Sequence, residues 1–430
     1  MTPPGRALNW RRRQDAHPDR RREENGFTRM TTVTDVMALE KEHLLQVYRR
    51  GSVVFDRGRG CRLFDTNGRS YLDLISGVGV AALGHAHPRL AEAVADQAQR
   101  LVHTSNLFFH PLQGELAARL SSLSGLPRAF FCNSGAEAVE AALKFSRRYW
   151  FAQGKPRSGF VAFQRSFHGR TMGAVSVTWD EHYRGPFQPL VPDVTFVATD
   201  DIAGLRAAVT EGTAAVIVEP IQGEGGVRPI STAMSAAIMD VCRSSGALLI
   251  ADEVQCGLGR TGRAFCSPGM GLQPDLMTIG KSLGAGVPIA ATLFSEPVAA
   301  AAAFGDHGST YGGNLLACRA ALVFLDELLD GGLMAHVARV GAHVEAKLHQ
   351  LKSRHSFIRE IRGAGLMWGL DLDRPAAPIV DAAIQQGLLV NRTSDTVVRL
   401  LPPYIITAEE IDEAIGLLDA ALIAAFGGQQ

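Results

Sequence analysis

A strand-like run ending in acid, Leu248-Leu249-Ile250-Ala251-Asp252-Glu253-Val254-Gln255, is followed downstream by a lysine in Thr278-Ile279-Gly280-Lys281-Ser282-Leu283-Gly284. A carboxylate can lie beneath a pyridine nitrogen and keep it protonated, and a lysine can form an imine with an aldehyde. Together these are the groups through which a protein turns an aldehyde on a pyridine ring into an electron sink. Most lysines are solvated and most strand-ending aspartates only cap a turn, so the residues that accompany this pair decide its meaning.

Two further segments suit a planar, anionic ligand. In Phe131-Cys132-Asn133-Ser134-Gly135-Ala136-Glu137-Ala138 a strand turns into a helix at Ser-Gly-Ala. The unpaired N–H groups and positive dipole end of a helix N-terminus fit a dianionic phosphate, although Ser134 would equally be an ordinary N-cap. In Ser166-Phe167-His168-Gly169-Arg170-Thr171 the aromatic ring can stack on a pyridine, and Arg170 can grip a carboxylate through two parallel charge-assisted bonds. Two other glycine-rich stretches fail on context. Gly280-Lys281-Ser282 lacks the P-loop glycine five residues earlier, where Asp275 stands, and Gly257-Leu258-Gly259-Arg260-Thr261-Gly262 neither follows its strand directly nor opens an apolar helix.

These residues need a frame. Short apolar runs at 129–132, 159–163, 194–197, 215–218, 247–251, 276–279 and 290–294 alternate with helical stretches, which predicts an α/β fold with a mainly parallel sheet covered on both faces. Ligands then collect at the strand C-termini, where Asp252 and Lys281 fall. Before this region the pattern predicts a helix over 36–48 and a hairpin over 61–74, with Asn67-Gly68 supplying the positive φ angles of its turn. A helix from Pro88 follows, with Leu90, Val94, Ala98 and Leu101 on one face. After it come a helix over 332–353, strands at 365–372 and 397–401, and a closing helix. Thr407 and Glu410 form the capping box of that last helix, and Ile411, Ala414, Ile415, Leu418 and Leu422 form its inner face. The expected division is a large domain over 106–330 and a small α+β domain built from 31–105 and 331–430.

Composition narrows the partners. With 430 residues, 46% hydrophobic and 20% charged, the chain has ample core for two or three domains. Its 43 basic and 43 acidic side chains balance, so no global field favours nucleic acid or an anionic membrane, and a small molecule is the default ligand. No apolar run approaches the ~18 residues that would span a bilayer. Six scattered cysteines without a C-x-x-C pair fit reduced thiols in a cytoplasm better than a disulfide frame or a zinc site, and no metal site is expected. Residues 1–30 carry eight arginines and few apolar side chains, so they are expected to be a disordered extension.

Taken in order, the motifs resemble those of the class III, fold type I pyridoxal phosphate aminotransferases, and among them the acetylornithine and succinylornithine enzymes. The resemblance covers residues 36–430. It rests on Ser105-Asn106-Leu107-Phe108, Asn133 to Glu137, Phe167 to Thr171, Val218-Glu219-Pro220-Ile221-Gln222-Gly223-Glu224-Gly225-Gly226, Asp252 to Gly262, Gly280-Lys281 and Gly308-Ser309-Thr310-Tyr311-Gly312-Gly313-Asn314.

The resemblance implies that Lys281 binds the aldehyde of pyridoxal 5'-phosphate and that Asp252 pairs with its ring nitrogen. It puts Gln255 near the ring hydroxyl, Phe167 on the ring face, and Ser134, Gly135 and Ala136 around the phosphate. Thr310 would reach the phosphate of a neighbouring subunit, which implies a homodimer. Arg170 would bind the substrate α-carboxylate, while Glu224 would mask Arg399 until 2-oxoglutarate brings a second carboxylate. The implied reaction moves the ω-amino group of N2-acetyl-L-ornithine or a close relative to 2-oxoglutarate, giving a semialdehyde and glutamate, as in arginine biosynthesis. Ornithine, succinylornithine, 4-aminobutyrate or another diamine remain alternatives. An aminomutase is disfavoured, because it has no second dicarboxylate to admit, and a non-enzymatic scaffold is disfavoured by the full motif set. Where the family's segment reads Ala-Val-Asn-Ala-Leu-Gly-His, this chain has Gly79-Val80-Ala81-Ala82-Leu83-Gly84-His85, a difference bearing on recognition of the acyl group.

Overall fold

The computed structural model describes residues 33–427, so the Arg-rich segment expected to be disordered lies outside the described residues. The chain divides into two compact units between Phe55 and Asp56. In the first, the helix runs Val33–His43, starting and stopping a few residues before the sequence expectation.

In chain order, β1 (Phe55–Arg59), β2 (Arg62–Asp65) and β3 (Ser70–Asp73) open the sheet structure. The β2–β3 hairpin is present, but its turn is not the two-residue Asn-Gly form. Only Gly68 takes a positive φ, and four residues link the strands. Asp65 is the reason: its Oδ1 accepts from the N–H groups of Asn67 and Arg69, and its carbonyl accepts from Gly68, so the side chain closes a wider turn. The helix after Pro88 runs to Arg100. Its buried residues are Ala93 and Gln97, whereas Ala98 and Leu101 of the expected face are exposed.

The large sheet is assembled from β4 (Arg128–Cys132), β5 (Gly159–Phe163), β6 (Val194–Val197) and β7 (Thr213–Val218). After the short hairpin β8 (Ile221–Gln222) and β9 (Arg228–Pro229), it is completed by β10 (Leu248–Asp252), β11 (Leu276–Ile279) and β12 (Ala290–Phe294). The order is β4-β12-β11-β10-β7-β5-β6, parallel except for β12, which runs against both neighbours. Every expected strand of this sheet is therefore present. Side chains alternate through β5: Phe160 and Ala162 pack with Val139 and Ala142 of the helix Gly135–Ala152, while Val161 and Phe163 pack with Met234 and Ile238 of the helix Thr232–Ser245. Two buried faces explain why these strands read as continuous apolar runs.

The C-terminal part adds β13 (Ile358–Ala364), β14 (Met367–Leu372), β15 (Leu388–Leu389), β16 (Asn391–Arg392) and β17 (Val397–Leu400). One four-stranded sheet has the order β13-β14-β17-β16. Another, β1-β2-β3-β15, joins strands from the two ends of the chain, with β15 parallel to β3. The last helix, Ala408–Phe426, is capped reciprocally by Thr407 and Glu410 and buries all five residues of its expected face. No described helix is long and apolar enough to cross a membrane.

Candidate active site

Five of the parallel strands deliver chemistry-bearing residues to one edge of the sheet. Cys132 ends β4 just before Ser134, Phe163 ends β5 before Phe167, Val218 ends β7 before Glu219, β10 ends on Asp252, and β11 leads to Lys281. Register brings the last two together. Asp252 lies opposite Thr278 across the β10–β11 ladder, three residues before Lys281. Lys281 has φ 43°, in the left-handed region, and opens a tight 3₁₀ turn immediately after the strand.

Asp252 is 5% exposed and fully engaged. Its Oδ2 is 2.7 Å from His168 Nδ1, and its Oδ1 accepts from Thr278 Oγ1 at 3.0 Å and the Val254 N–H at 3.1 Å. Three donors on two oxygens are the surroundings a buried carboxylate requires. His168 has a fully buried side chain, and its other ring nitrogen, Nε2, has no partner among the described residues. His168 and Thr278 both lie within the sequence motifs, but nothing in the sequence assigns either a role.

No hydrogen bond or ion pair holds the Lys281 amine among the described residues. Burial pushes its ammonium below the ordinary lysine range. Glu224, Asp252 and Glu219 oppose that shift, and the Arg399 charge reinforces it. A lysine with more neutral amine at working pH is a better nucleophile and proton carrier. Its turn also touches the loop where this chain departs from the family pattern, since Ser282 Oγ donates to the Gly79 carbonyl at 3.4 Å.

Ser134 caps the helix Gly135–Ala152 by accepting from Glu137 N, and its hydroxyl donates to Glu137 Oε2 at 2.9 Å. The residue is exposed, so the helix start remains accessible. Gly135 is required by packing: a methyl group there would lie 2.7 Å from Val254 Cγ1. Phe167 is half-buried, and its N–H donates to Glu219 Oε1 at 2.8 Å. Arg170 is exposed and stands over the Tyr183 ring at 3.6 Å, with the Phe167 ring 5.3 Å away. Tyr183 carried no signal in the motifs. Thr310 is exposed, on a loop whose neighbours Ser309 and Gly312 accept from Asn106 Nδ2 through their carbonyls.

Glu224 and Arg399, 175 positions apart in sequence, form an ion pair at 2.6 Å. The arginine side chain is 1% exposed and the carboxylate side chain 33%. Arg399 Nη1 also reaches Gln255 Oε1 at 3.2 Å, and Nε reaches Asn391 Oδ1 at 3.4 Å. Burial acts to raise the Glu224 carboxyl, but the charges of Arg399 and Lys281, with hydrogen bonds from Arg399 and Gln255, outweigh it and hold it below the usual range.

The set therefore offers a buried carboxylate, a desolvated lysine, an accessible helix start and an aromatic face at one edge of the sheet. Such donors fit a phosphorylated pyridine aldehyde. Residues 46–422 match the model of the aminotransferase class-III family. The chain belongs to that family and is an aminotransferase. It is 44% identical over 382 residues to the acetylornithine aminotransferase of Methanocaldococcus jannaschii, covering 89% of this chain and 96% of that one. With the acetylornithine aminotransferase of Archaeoglobus fulgidus the figures are 46% over 384 residues, 89% and 99%. Among solved structures, an ornithine aminotransferase of Toxoplasma gondii, with pyridoxal phosphate at partial occupancy in its active site, superposes with a TM-score of 0.89. It is 33% identical, with 93% of this chain and 96% of that chain covered.

Proposed function

We propose that this aminotransferase moves the ω-amino group of N2-acetyl-L-ornithine to 2-oxoglutarate, using pyridoxal 5'-phosphate. The observation that carries the reading is the ion pair of half-buried Glu224 with buried Arg399, whose charges both act on Lys281, supported by the acetylornithine relatives at 44% and 46% identity. A donor with no distal acid meets a neutralised guanidinium, and a dicarboxylate that displaces Glu224 meets a bare one. One pocket then serves both halves of the reaction, because an unpaired buried guanidinium would be costly in the first half.

The cofactor's phosphate would rest on the helix start at Ser134, Gly135 and Ala136, its ring against Phe167 and near Gln255, and its nitrogen over Asp252. When bound, it supplies the electron sink that stabilises negative charge at the substrate carbon. Asp252, fixed by His168, Thr278 and the Val254 N–H, would present its carboxylate to the ring nitrogen. The Lys281 amine takes the proton from the substrate carbon and returns it on the other side of the transfer. Arg170 holds the α-carboxylate. A donor panel with 2-oxoglutarate as acceptor tests this reading: acetylornithine should have the highest kcat/KM, and a preference for ornithine or 4-aminobutyrate would replace the donor while leaving the chemistry in place.

We further infer a homodimer in which Thr310 completes the partner's phosphate site. Leu107, Phe108, Phe109, Phe304 and Tyr311 are exposed apolar side chains on the loop that carries Thr310 and on the loop that Asn106 ties to it, a concentration of apolar surface that monomers rarely leave in water. Sedimentation should give twice the chain mass, and Thr310→Ala should weaken cofactor retention without dissociating the dimer. A monomer with full activity would remove the inference. Six free, buried cysteines support a cytoplasmic location.

A further inference from the structure

The loop after β8 is held tightly along its backbone. Thr393 Oγ1 lies 2.9 and 2.7 Å from the carbonyls of Gly223 and Glu224, and its single proton is shared between them. Gly223 N donates to Glu219, Arg228 Nε to the Gly225 carbonyl at 3.1 Å, and Arg362 Nη2 to the Gly226 carbonyl at 2.8 Å. Asp371 locks the last two donors by accepting from both guanidiniums at 3.3 and 2.8 Å. A backbone pinned on both sides of Glu224 leaves the carboxylate only its side-chain torsions for leaving Arg399.

Those torsions can carry it into the adjacent cavity of about 540 Å³, which Glu224, Thr393, Arg165 and Arg228 help to line. Arg228 is already committed to Gly225 and Asp371. Arg165 has no hydrogen-bond or ion-pair partner among the described residues. Its stem rises beside the gate, since a methyl group on Gly225 would lie 3.0 Å from Arg165 Cβ. It does so from a φ of 65°, a left-handed conformation that costs an arginine more than it would a glycine.

We propose that Arg165 is the second station of the gate: it receives the Glu224 carboxylate when a dicarboxylate takes Arg399. This rests on the gate reading above and goes beyond it by naming where the displaced charge goes. Arg165 is a positioning residue, acting on substrate affinity only through Glu224. Because the pair forms at an exposed arginine, its effect is modest, about fivefold in the affinity for a distal carboxylate.

The test titrates glutarate, an unreactive dicarboxylate, into the holoenzyme by calorimetry, with pentanoate as the control lacking a distal acid. Arg165→Ala should weaken glutarate about fivefold and leave pentanoate unchanged. Arg165→Gly, free of the backbone penalty, should match it, and Arg165→Lys should restore most of the loss. Glu224→Ala should bind glutarate more tightly than the parent, and adding Arg165→Ala to it should change nothing. An Arg165→Ala loss that persists without Glu224 would mean Arg165 touches the acid directly, and no loss in the parent would mean the carboxylate goes to solvent; either overturns the proposal. If Glu224→Ala itself leaves glutarate affinity unchanged, the gate fails, and the second station with it.

Discussion

Replacing Asp252 by asparagine keeps the shape and removes the charge. Of the three donors around the carboxylate, Val254 N–H can only donate, so the amide oxygen must remain on the side of Val254 and Thr278. The amide NH₂ then faces His168 Nδ1 at the position now 2.7 Å away. His168 can accept there only by moving its proton to Nε2, which is buried without a partner. The rearrangement is local, and the fold should persist. The chemistry loses more: exchanging a charge-assisted contact for a neutral one at the ring nitrogen forfeits roughly 1.5–3 kcal/mol when negative charge develops on the substrate carbon. At 1.36 kcal/mol per tenfold, that slows single-turnover transamination by about 13- to 160-fold. Stopped-flow spectra of each half-reaction measure the rate, and ¹⁵N spectra of labelled histidine report the shifted tautomer. Cofactor should still be retained, because the phosphate anchors are untouched. An Asp252→Asn enzyme with parental rates in both half-reactions would refute the assignment of Asp252.

Arg399→Ala should weaken the 2-oxoglutarate half-reaction by about 2–3 kcal/mol, on the order of one charge-assisted bond, and spare the half-reaction with acetylornithine; equal damage to both would reduce the Glu224–Arg399 pair to a structural contact. Glu224→Ala should shift the balance the other way, favouring glutamate over the ω-amino donor. Glu219 gives a pH test. Burial, with the Asp252 charge adding to it and His168 opposing, pushes this carboxyl up to about 7. A raised carboxyl pKa means the folded chain holds a proton that the unfolded chain releases, so stability should fall as pH rises from about 4.5 to 7. Across that window the contribution is on the order of 3 kcal/mol, and Glu219→Gln should flatten this limb in urea unfolding curves. Parallel pH profiles for the two proteins would contradict it.

The large sheet was legible because both of its faces are buried, which writes each strand as an uninterrupted apolar run such as 213–218 or 248–252. The closing helix was legible from its capping box. The short strands β15 and β16, two residues each, carry no period to read, and β13 shows no alternation, with Arg359 and Glu360 exposed side by side and Arg362 buried. At the site, the aspartate and the lysine were visible because Asp252 ends one apolar strand and Lys281 follows the end of the next. The partners that fix them were not, because they are brought in by register and crossover: Thr278 by the β10–β11 ladder, His168 from 84 positions away, and Thr393 from beyond β16. Arg165 is a further case, since a left-handed φ at an arginine leaves no trace in a sequence.

Lys281 is proposed as the residue through which this chain holds and uses pyridoxal phosphate. The purified protein should be yellow, and borohydride should bleach it while fixing the cofactor covalently. Peptide mass analysis then reads the site directly. A single modified peptide should carry the added mass on Lys281, with no modification and no turnover in Lys281→Ala. Label on another lysine, or a fixed cofactor in the Lys281→Ala protein, would contradict it.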